Sequence, residues 1–358
     1  MNIFLTNHRK GWDMNMAKRK KDIKIKLIDF ISDANLEKHW GLTVKNAEQV
    51  RAVVKVETDK GTYALKKVDH KPQKLHFIYE AQEHLWKNDF HNQPRWRITC
   101  NGQSFVPASD GNFYFLNEWI DGTESDIRKL DQLKEIMRLQ AALHHCSVGF
   151  SPSPYAVIRT KWHGWDKKYE SAVEKLKSLY NEVKQQPESH LGSVFLETAP
   201  VMIKMADDGK KHLNATAYQQ VLNQAVIEKG FIHGDFAYHN LIRSKDGKMH
   251  VIDFDYCSQN LRIHDVARFL RKVMQRANWD IDLNYTILQA YHEINPLCKE
   301  ELEVLKAVMH LPKSYWKIVE RSFITQRYTQ EKTVQMISKE AATFDKRLKY
   351  LESFPTRL

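Results

Sequence analysis

Cysteine is scarce in this 358-residue chain. The four present, Cys100, Cys146, Cys257 and Cys298, are too far apart for a CxxC metal or redox pair and too few for a disulfide scaffold. With 13 glycines and 10 prolines there is no collagen-like or linker-dominated architecture, and an apolar fraction of 42% excludes general disorder. No apolar run approaches the roughly 18 residues that a membrane span needs, and Ile3-Phe4-Leu5 is too short for the core of a secretion signal. These shortages lead to the expectation of a soluble protein kept in the reducing cytoplasm. Acidic residues are also in deficit, 44 against 55 lysines and arginines, for a net charge of +11. The excess is uneven. Residues 1–26 hold eight basic and two acidic residues, so +6 lies in a leader expected to be a solvated, disordered tail (residues 1–25), the alternative being an anion-binding arm. The mildly basic remainder carries no recognised reader motif, so specific nucleic-acid binding is not expected.

The length suggests two lobes. Lys24 to Ser32 places Leu27, Ile28 and Ile31 on one helical face ending near Asn35. The β-branched runs 52–58 and 62–68 flank Asp59-Lys60-Gly61 and read as an antiparallel hairpin. A helix follows from Leu75 to Lys87, then short strands around Ile98 and over Phe113–Leu116. Helical periodicity dominates afterwards, over Leu130–His145, Ala172–Lys184, Ala217–Lys229, Asp265–Arg276 and a near-continuous series to Phe354. In the last series, basic residues such as Lys313, Lys317, Arg321 and Arg347 alternate with apolar ones, as in amphipathic helices closing a lobe. One β island interrupts this pattern: Phe231–Asp235, Asn240–Ile242 and His250–Asp255, with a turn at 245–248. The expected organisation is therefore a β-rich lobe over residues 26–120 and a helical lobe over 121–358.

The β island carries the chemistry. His233-Gly234-Asp235, Asn240 five residues after the Asp, and Asp253 thirteen residues further fit the H-x-D-x-x-x-x-N and D-F-x spacing of a phosphoryl-transfer site. Such a site positions groups and neutralises charge: one carboxylate takes the acceptor hydroxyl's proton, while an amide oxygen and a second carboxylate hold Mg2+ on the phosphates. The competing reading, turn formers and a strand-end cap, does not account for the spacing. Seventeen histidines show no zinc-type arrangement, and Trp162 and Trp165 around His163-Gly164 fit ordinary packing better than an aromatic wall for a cationic substrate.

These residues resemble the aminoglycoside-phosphotransferase and choline-kinase-like branch of the protein-kinase fold, from about residue 40 onward. The resemblance rests on His233-Gly234-Asp235, Asp253-Phe254-Asp255, Leu143-His144, Asn117 to Gly122 and His264-Asp265-Val266-Ala267. Within the branch, Ala64-Leu65-Lys66, Ser147 to Phe150 and Lys161-Trp162 are most similar to the spore-coat CotS-type group of endospore-forming bacteria. The resemblance implies an α+β, bilobal fold with a small antiparallel sheet in the N-lobe and a large helical C-lobe. It implies ATP and Mg2+ as cofactors, with Asp235, Asn240 and Asp253 catalytic and Asn240, Asp253 and Asp255 as metal ligands. It places Lys66 on the nucleotide phosphates, Glu80 or alternatively Glu83 as the carboxylate paired with that lysine, and the backbone of Glu118, Trp119 and Ile120 on the adenine edge. The implied activity is transfer of the γ-phosphate to a hydroxyl of a small molecule, sugar or coat component; the alternative is a catalytically weak scaffold of the spore coat. Other coat proteins are implied partners, with synthesis in the mother-cell cytoplasm before incorporation into the coat.

One departure stands out. No glycine lies between Gly41 and Gly61, so the turn expected near Asn46 to Gln49 lacks the residues that let backbone amides close over phosphates, and Glu48 would bring negative charge there if it pointed inward.

Overall fold

The computed structural model describes residues 26–160, 162, 165–185 and 189–358; the basic leader, Lys161 and His163-Gly164 lie outside them. Helix α1 (Leu27–Ala34) ends where Asn35 adopts a left-handed conformation, φ 42°, and its side chain accepts from Lys38 N to start α2 (Leu36–Trp40). Strands β1 (Val44–Val50), β2 (Val53–Thr58), β3 (Gly61–Val68), β4 (Val106–Pro107) and β5 (Phe113–Glu118) form an antiparallel sheet in the order β1-β2-β3-β5-β4. Helix α3 (Pro72–Lys87) opens with proline in its first turn, where the missing N–H costs nothing.

Period-two alternation gives this sheet two different faces. Val54, Val56, Tyr63, Leu65, Tyr114 and Leu116 pack with Leu36 and Trp40 beneath α1 and α2. The opposite parity sends Val68 and Phe115 into the main core with α3. Adjacent lysines thereby part company. Lys67 goes to the outer face, ion-paired with Asp33 (3.1 Å) and Asp110 (2.8 Å), whereas Lys66 points into the cleft below the sheet.

Two sequence expectations need correction here. Asn46 to Gln49 lie within β1, and the turn falls at Arg51-Ala52 with Val50 opposite Val53. The chain reverses without glycine because Arg51 itself takes a positive φ of 57°. Around Ile98 there is no strand: pairing with β5 is confined to the Trp96–Asn117 bridge, where Arg97 N donates to the Leu116 carbonyl at 2.7 Å and Glu118 N to the Arg95 carbonyl at 2.8 Å, and Thr99 N then turns back to the Gln103 carbonyl at 2.9 Å.

The remainder is mostly helical: α4 (Leu130–Cys146), α5 (Trp165–Gln185), α6 (His190–Ala215), α7 (Tyr218–Glu228), α8 (Ile263–Arg276), α9 (Ile281–His292), α10 (Lys299–His310), α11 (Lys313–Val319), α12 (Gln330–Ala341) and α13 (Phe344–Glu352). Short strands β6 (Gly122–Glu124), β8 (Leu241–Ser244) and β9 (Met249–Val251) form one antiparallel sheet, and β7 (Phe231–Ile232) pairs with β10 (Ser258–Gln259). Helix α6 escapes the periodicity reading because Pro200 interrupts it and Gly209 thins its apolar stripe. At Gly209 a Cβ would come within 2.6 Å of His310 Cβ, so the glycine permits close crossing against α10. Trp165 is buried and stacks on His264 (centroids 5.5 Å apart) and Tyr218 (6.2 Å), in line with packing. Arg347, in the basic C-terminal series, is buried and donates to the carbonyls of Met309, His310 and Leu311, which cap α10.

Candidate active site

The loop after β7 is built around a residue without a side chain. Gly234 has φ +78°, and a Cβ there would lie 2.2 Å from the Tyr256 carbonyl oxygen, so only glycine lets the chain pass. The Gly234 N–H is gripped by both carboxylate oxygens of Asp265 on α8, each at 3.1 Å. Asp265 is fully buried. Burial alone would raise its carboxyl, but the neighbouring His144, His233 and His264 hold it below the usual carboxylate range. His144 is fixed in turn through Nδ1 to the Tyr291 hydroxyl at 2.8 Å. Buried His233 meets the Ile252 carbonyl with Nε2 at 3.0 Å and accepts from Asp235 N at 3.2 Å with Nδ1. Burial pushes its pKa down, and with both ring nitrogens engaged it serves as a strut between two loops.

These ties bring the sequence-selected residues to one cleft. Asn240 donates from Nδ2 to the Asp235 carbonyl at 3.0 Å, which closes the five-residue interval into a loop and leaves Oδ1 as the oxygen a cation can take. Ile252 N donates to the Asn240 carbonyl at 2.9 Å, setting the strand that ends in Asp253 alongside. Asp253 has φ 68° and ψ 70°, a left-handed conformation uncommon outside Gly, Asn and Asp, which redirects the chain so that Asp253 and Asp255 both face the sheet above. Lys66 Nζ bridges them, 2.7 Å from Asp253 Oδ1 and 2.8 Å from Asp255 Oδ2. Asp255 also faces His70 Nε2 at 3.5 Å. Burial opposes ionisation of Asp255, but His70 and Lys66 outweigh it and hold the carboxyl far below its ordinary value. For Lys66, burial works against the charge and the two carboxylates overcome it, leaving its pKa raised. The ammonium thus occupies the position between two carboxylates that a cation would take. Two carboxylates and an amide oxygen form an all-oxygen donor set that fits Mg2+, an ion that commonly takes one or two carboxylates and completes its shell with phosphate and water oxygens.

Asp235 faces a different group. Arg268 on α8 pairs with its carboxylate and donates to the Gly234 carbonyl at 2.5 Å, and His239 Nε2 lies 3.8 Å away. Burial would raise the Asp235 pKa; His239 and Arg268 reverse that and keep it lowered, so the carboxylate is charged at neutral pH. Nothing in the H-x-D motif announced Arg268, although Arg268, Lys272 and Arg276 recur at four-residue spacing on one helix and that period was available in the sequence.

The cleft departs from expectation at two places. Among the described residues Lys66 has no glutamate partner: Glu80 accepts from Ser153 N (2.7 Å) and Ser153 Oγ (2.5 Å), and Glu83 pairs with Arg95 (3.1 Å). The paired carboxylates come from Asp253 and Asp255 because the cleft brings them within reach, while Glu80 is drawn to an unsatisfied loop amide. In the segment expected to meet adenine, the N–H of Glu118 already donates to the Arg95 carbonyl (2.8 Å) and that of Trp119 to Thr62 (3.0 Å). Those two amides are structural donors of the sheet, and Ile120 follows where the chain leaves it. At the cleft's mouth Glu48 lies opposite Lys55 on the sheet face that also carries Lys66, its charge paired with Lys55 at 3.0 Å, and Arg51 at the β1–β2 tip pairs with Glu124 of β6.

Comparison with known proteins matches residues 45–305 to the phosphotransferase enzyme family. Over 293 residues the chain is 26% identical to spore coat protein S of Bacillus subtilis, covering 80% of this chain and 82% of that one. The crystal structure of an aminoglycoside phosphotransferase from Alicyclobacillus acidocaldarius superposes with a TM-score of 0.77 at 17% identity, over 87% of this chain and 92% of that one. A spectinomycin phosphotransferase in complex with ADP and spectinomycin superposes with a TM-score of 0.57 at 11% identity, over 89% and 97%. The two structures share the kinase-like fold with this chain: an antiparallel sheet region followed by a mostly helical one.

Proposed function

Because the chain belongs to the phosphotransferase enzyme family, we propose that it transfers the γ-phosphate of Mg2+-bound ATP to a hydroxyl of an acceptor, in a coat-associated setting like that named for its Bacillus relative. The observation that carries this reading is the convergence of Lys66 from the sheet with Asp253 and Asp255 below it, beside a loop that ties Asn240 to Asp235. In this reading Asp235, ionised and oriented by Arg268, takes the acceptor's proton; its lowered pKa suits a group that orients the hydroxyl and accepts the proton late. Asn240, Asp253 and Asp255 would hold Mg2+, whose charge would offset that of the phosphates, and Lys66 would turn from the carboxylates to the phosphates. Residues 26–120 act as the nucleotide lobe and 121–358 carry the acceptor side. The complete acid set supports catalysis over a purely scaffolding role.

The experiment is a thermal shift with ATP plus Mg2+ against Mg2+ alone, on wild type and Asp253→Ala, followed by an ADP-release assay. Ligand at a hundred times its Kd stabilises by about 2.7 kcal/mol. A nucleotide-dependent rise in wild type that Asp253→Ala loses supports the site. No shift in wild type at millimolar nucleotide removes the catalytic reading and leaves the scaffold role.

A further inference from the structure

The surface beside Asp235 is strongly basic, and its lysines and arginines are not there by the general charge of the chain. Helix α8 presents Arg268, Lys272 and Arg276 at successive turns of one face. Arg268 is spent on Asp235. Arg276 lies with its guanidinium 4.9 Å from the centre of the Tyr238 ring, and Tyr238 belongs to the loop between Asp235 and Asn240, so this end of the row borders the catalytic loop. Lys317 joins them from α11, which Gln275 of α8 ties down by donating to Ser314 Oγ at 2.6 Å; Arg268 repels Lys317 and Asp235 attracts it, and Lys272 feels the pull of Asp235 as well as repulsion from Arg268, Arg276 and Lys317. Among the described residues, no carboxylate lies within ion-pair distance of Lys272, Arg276 or Lys317; Glu320 acts on Lys317 from further away. Burial, then repulsion from Arg268, brings the Lys272 ammonium down to about 8. Holding three unpaired cations around a base costs free energy that an anionic ligand would return, and the same cations would repel an amine.

The geometry points to an acceptor that carries a carboxylate or a phosphate next to the hydroxyl to be phosphorylated, its anionic group held by Lys272, Arg276 and Lys317 while the hydroxyl reaches Asp235. This rests on the phosphotransferase reading for the role of Asp235. Transfer forms the bond from the acceptor oxygen to phosphorus and breaks the β–γ bridge of ATP, with ADP leaving and the hydroxyl proton passing to Asp235. The reading concerns small hydroxylated acids; an acidic protein segment of the coat is the competing source of the same chemistry.

The test is binding of four probes of similar shape, glucuronate, glucose 6-phosphate, glucose and glucosamine, to protein saturated with Mg2+ and AMP-PNP, so that the nucleotide site cannot take the anions. Wild type should bind glucuronate, glucose 6-phosphate or both about tenfold tighter than glucose or glucosamine. The ratio of the first two says whether carboxylate or phosphate fits. The preference should vanish in Lys272→Gln/Arg276→Gln/Lys317→Gln and fall in Lys317→Gln alone, which alters a different helix and guards against misfolding of the triple variant. Glucosamine or glucose binding as tightly as the acids, unchanged acid binding in both variants, or no binding of either acid at millimolar concentration overturns the proposal; if an acidic peptide then binds in their place, the acceptor is a protein. Loss of the AMP-PNP thermal shift with the acid preference intact would instead count against the phosphotransferase reading alone.

Discussion

Replacing Gly234 with alanine asks how far the candidate base depends on a side chain that is absent. Two costs are separable. A left-handed φ of +78° penalises any L-residue by about 1–2 kcal/mol. Contact at 2.2 Å with the Tyr256 carbonyl oxygen adds a clash with backbone, which only movement of the loop relieves, at about 1–3 kcal/mol more. Gly111 supplies the control, since its φ is +82° and nothing lies within 4 Å of an added Cβ. Gly111→Ala should therefore cost about 1–2 kcal/mol and Gly234→Ala about 2–5 kcal/mol. With an unfolding entropy of about 2.1 cal/mol/K per residue, each kcal/mol moves the Tm of a chain this long by a little over 1 °C. Calorimetry should then show a drop of about 1–3 °C for Gly111→Ala and about 3–7 °C for Gly234→Ala. Because the clash pushes the peptide away from Asp265, only Gly234→Ala should lose ADP release from ATP. Equal drops in the two variants, or full activity in Gly234→Ala, would refute the argument that this loop is held by close approach.

Asp235→Asn should keep the nucleotide thermal shift and lower kcat by about 10²–10⁴-fold, because it removes the proton acceptor and leaves the metal ligands; equal activity in the variant removes Asp235 from that role. Lys66→Met should weaken ATP binding yet strengthen binding of Mg2+ alone, measured calorimetrically, since it takes away the cation now lodged between Asp253 and Asp255; weaker Mg2+ binding contradicts the placement. Asp33 is held at about 2 because hydrogen bonds from Ser109, Lys67 and Tyr114 outweigh burial, which acts in the opposite direction. A depressed carboxyl stabilises the fold above its unfolded pKa and loses that contribution as pH falls, so wild type should lose stability between about pH 4 and pH 2 through this group. Asp33→Asn should show a shallower acid loss in that window by urea denaturation, and an unchanged slope excludes Asp33 as a source.

What the sequence made legible was local. The β2–β3 hairpin, the helix ending at Asn35 and the Asp235, Asn240 and Asp253 constellation follow from spacing within short segments, where turn chemistry and period decide the outcome. Partners drawn from distant segments were not legible. Whether Glu80 or Glu83 faced Lys66 depended on how α3 sits against the loop at Ser153, 73 residues away, and no periodicity encodes that. The Trp119 amide is taken by Thr62 as the β3–β5 ladder runs on, and the Glu118 amide by Arg95, whose approach depends on the irregular path around Ile98. At the β1–β2 tip, which has no glycine, the turn falls at Arg51-Ala52 because Arg51 adopts the left-handed conformation that glycine would otherwise supply, and no local pattern marks an arginine for that.

Helix α8 has one attribute whose effect reaches beyond either of its contacts. Asp265, near its start, fixes where the Gly234–Asp235 peptide sits, and Arg268, one turn later, sets the charge that peptide's carboxylate experiences. Position and field are thus mounted on a single rigid rod. Packing changes that tilt or slide the helix move both together, so the distance from Asp235 to its counter-ion is preserved even where its distance to the nucleotide side varies. A site wired this way tolerates drift in the surrounding helices, because its base and the cation that keeps it ionised share one frame of reference.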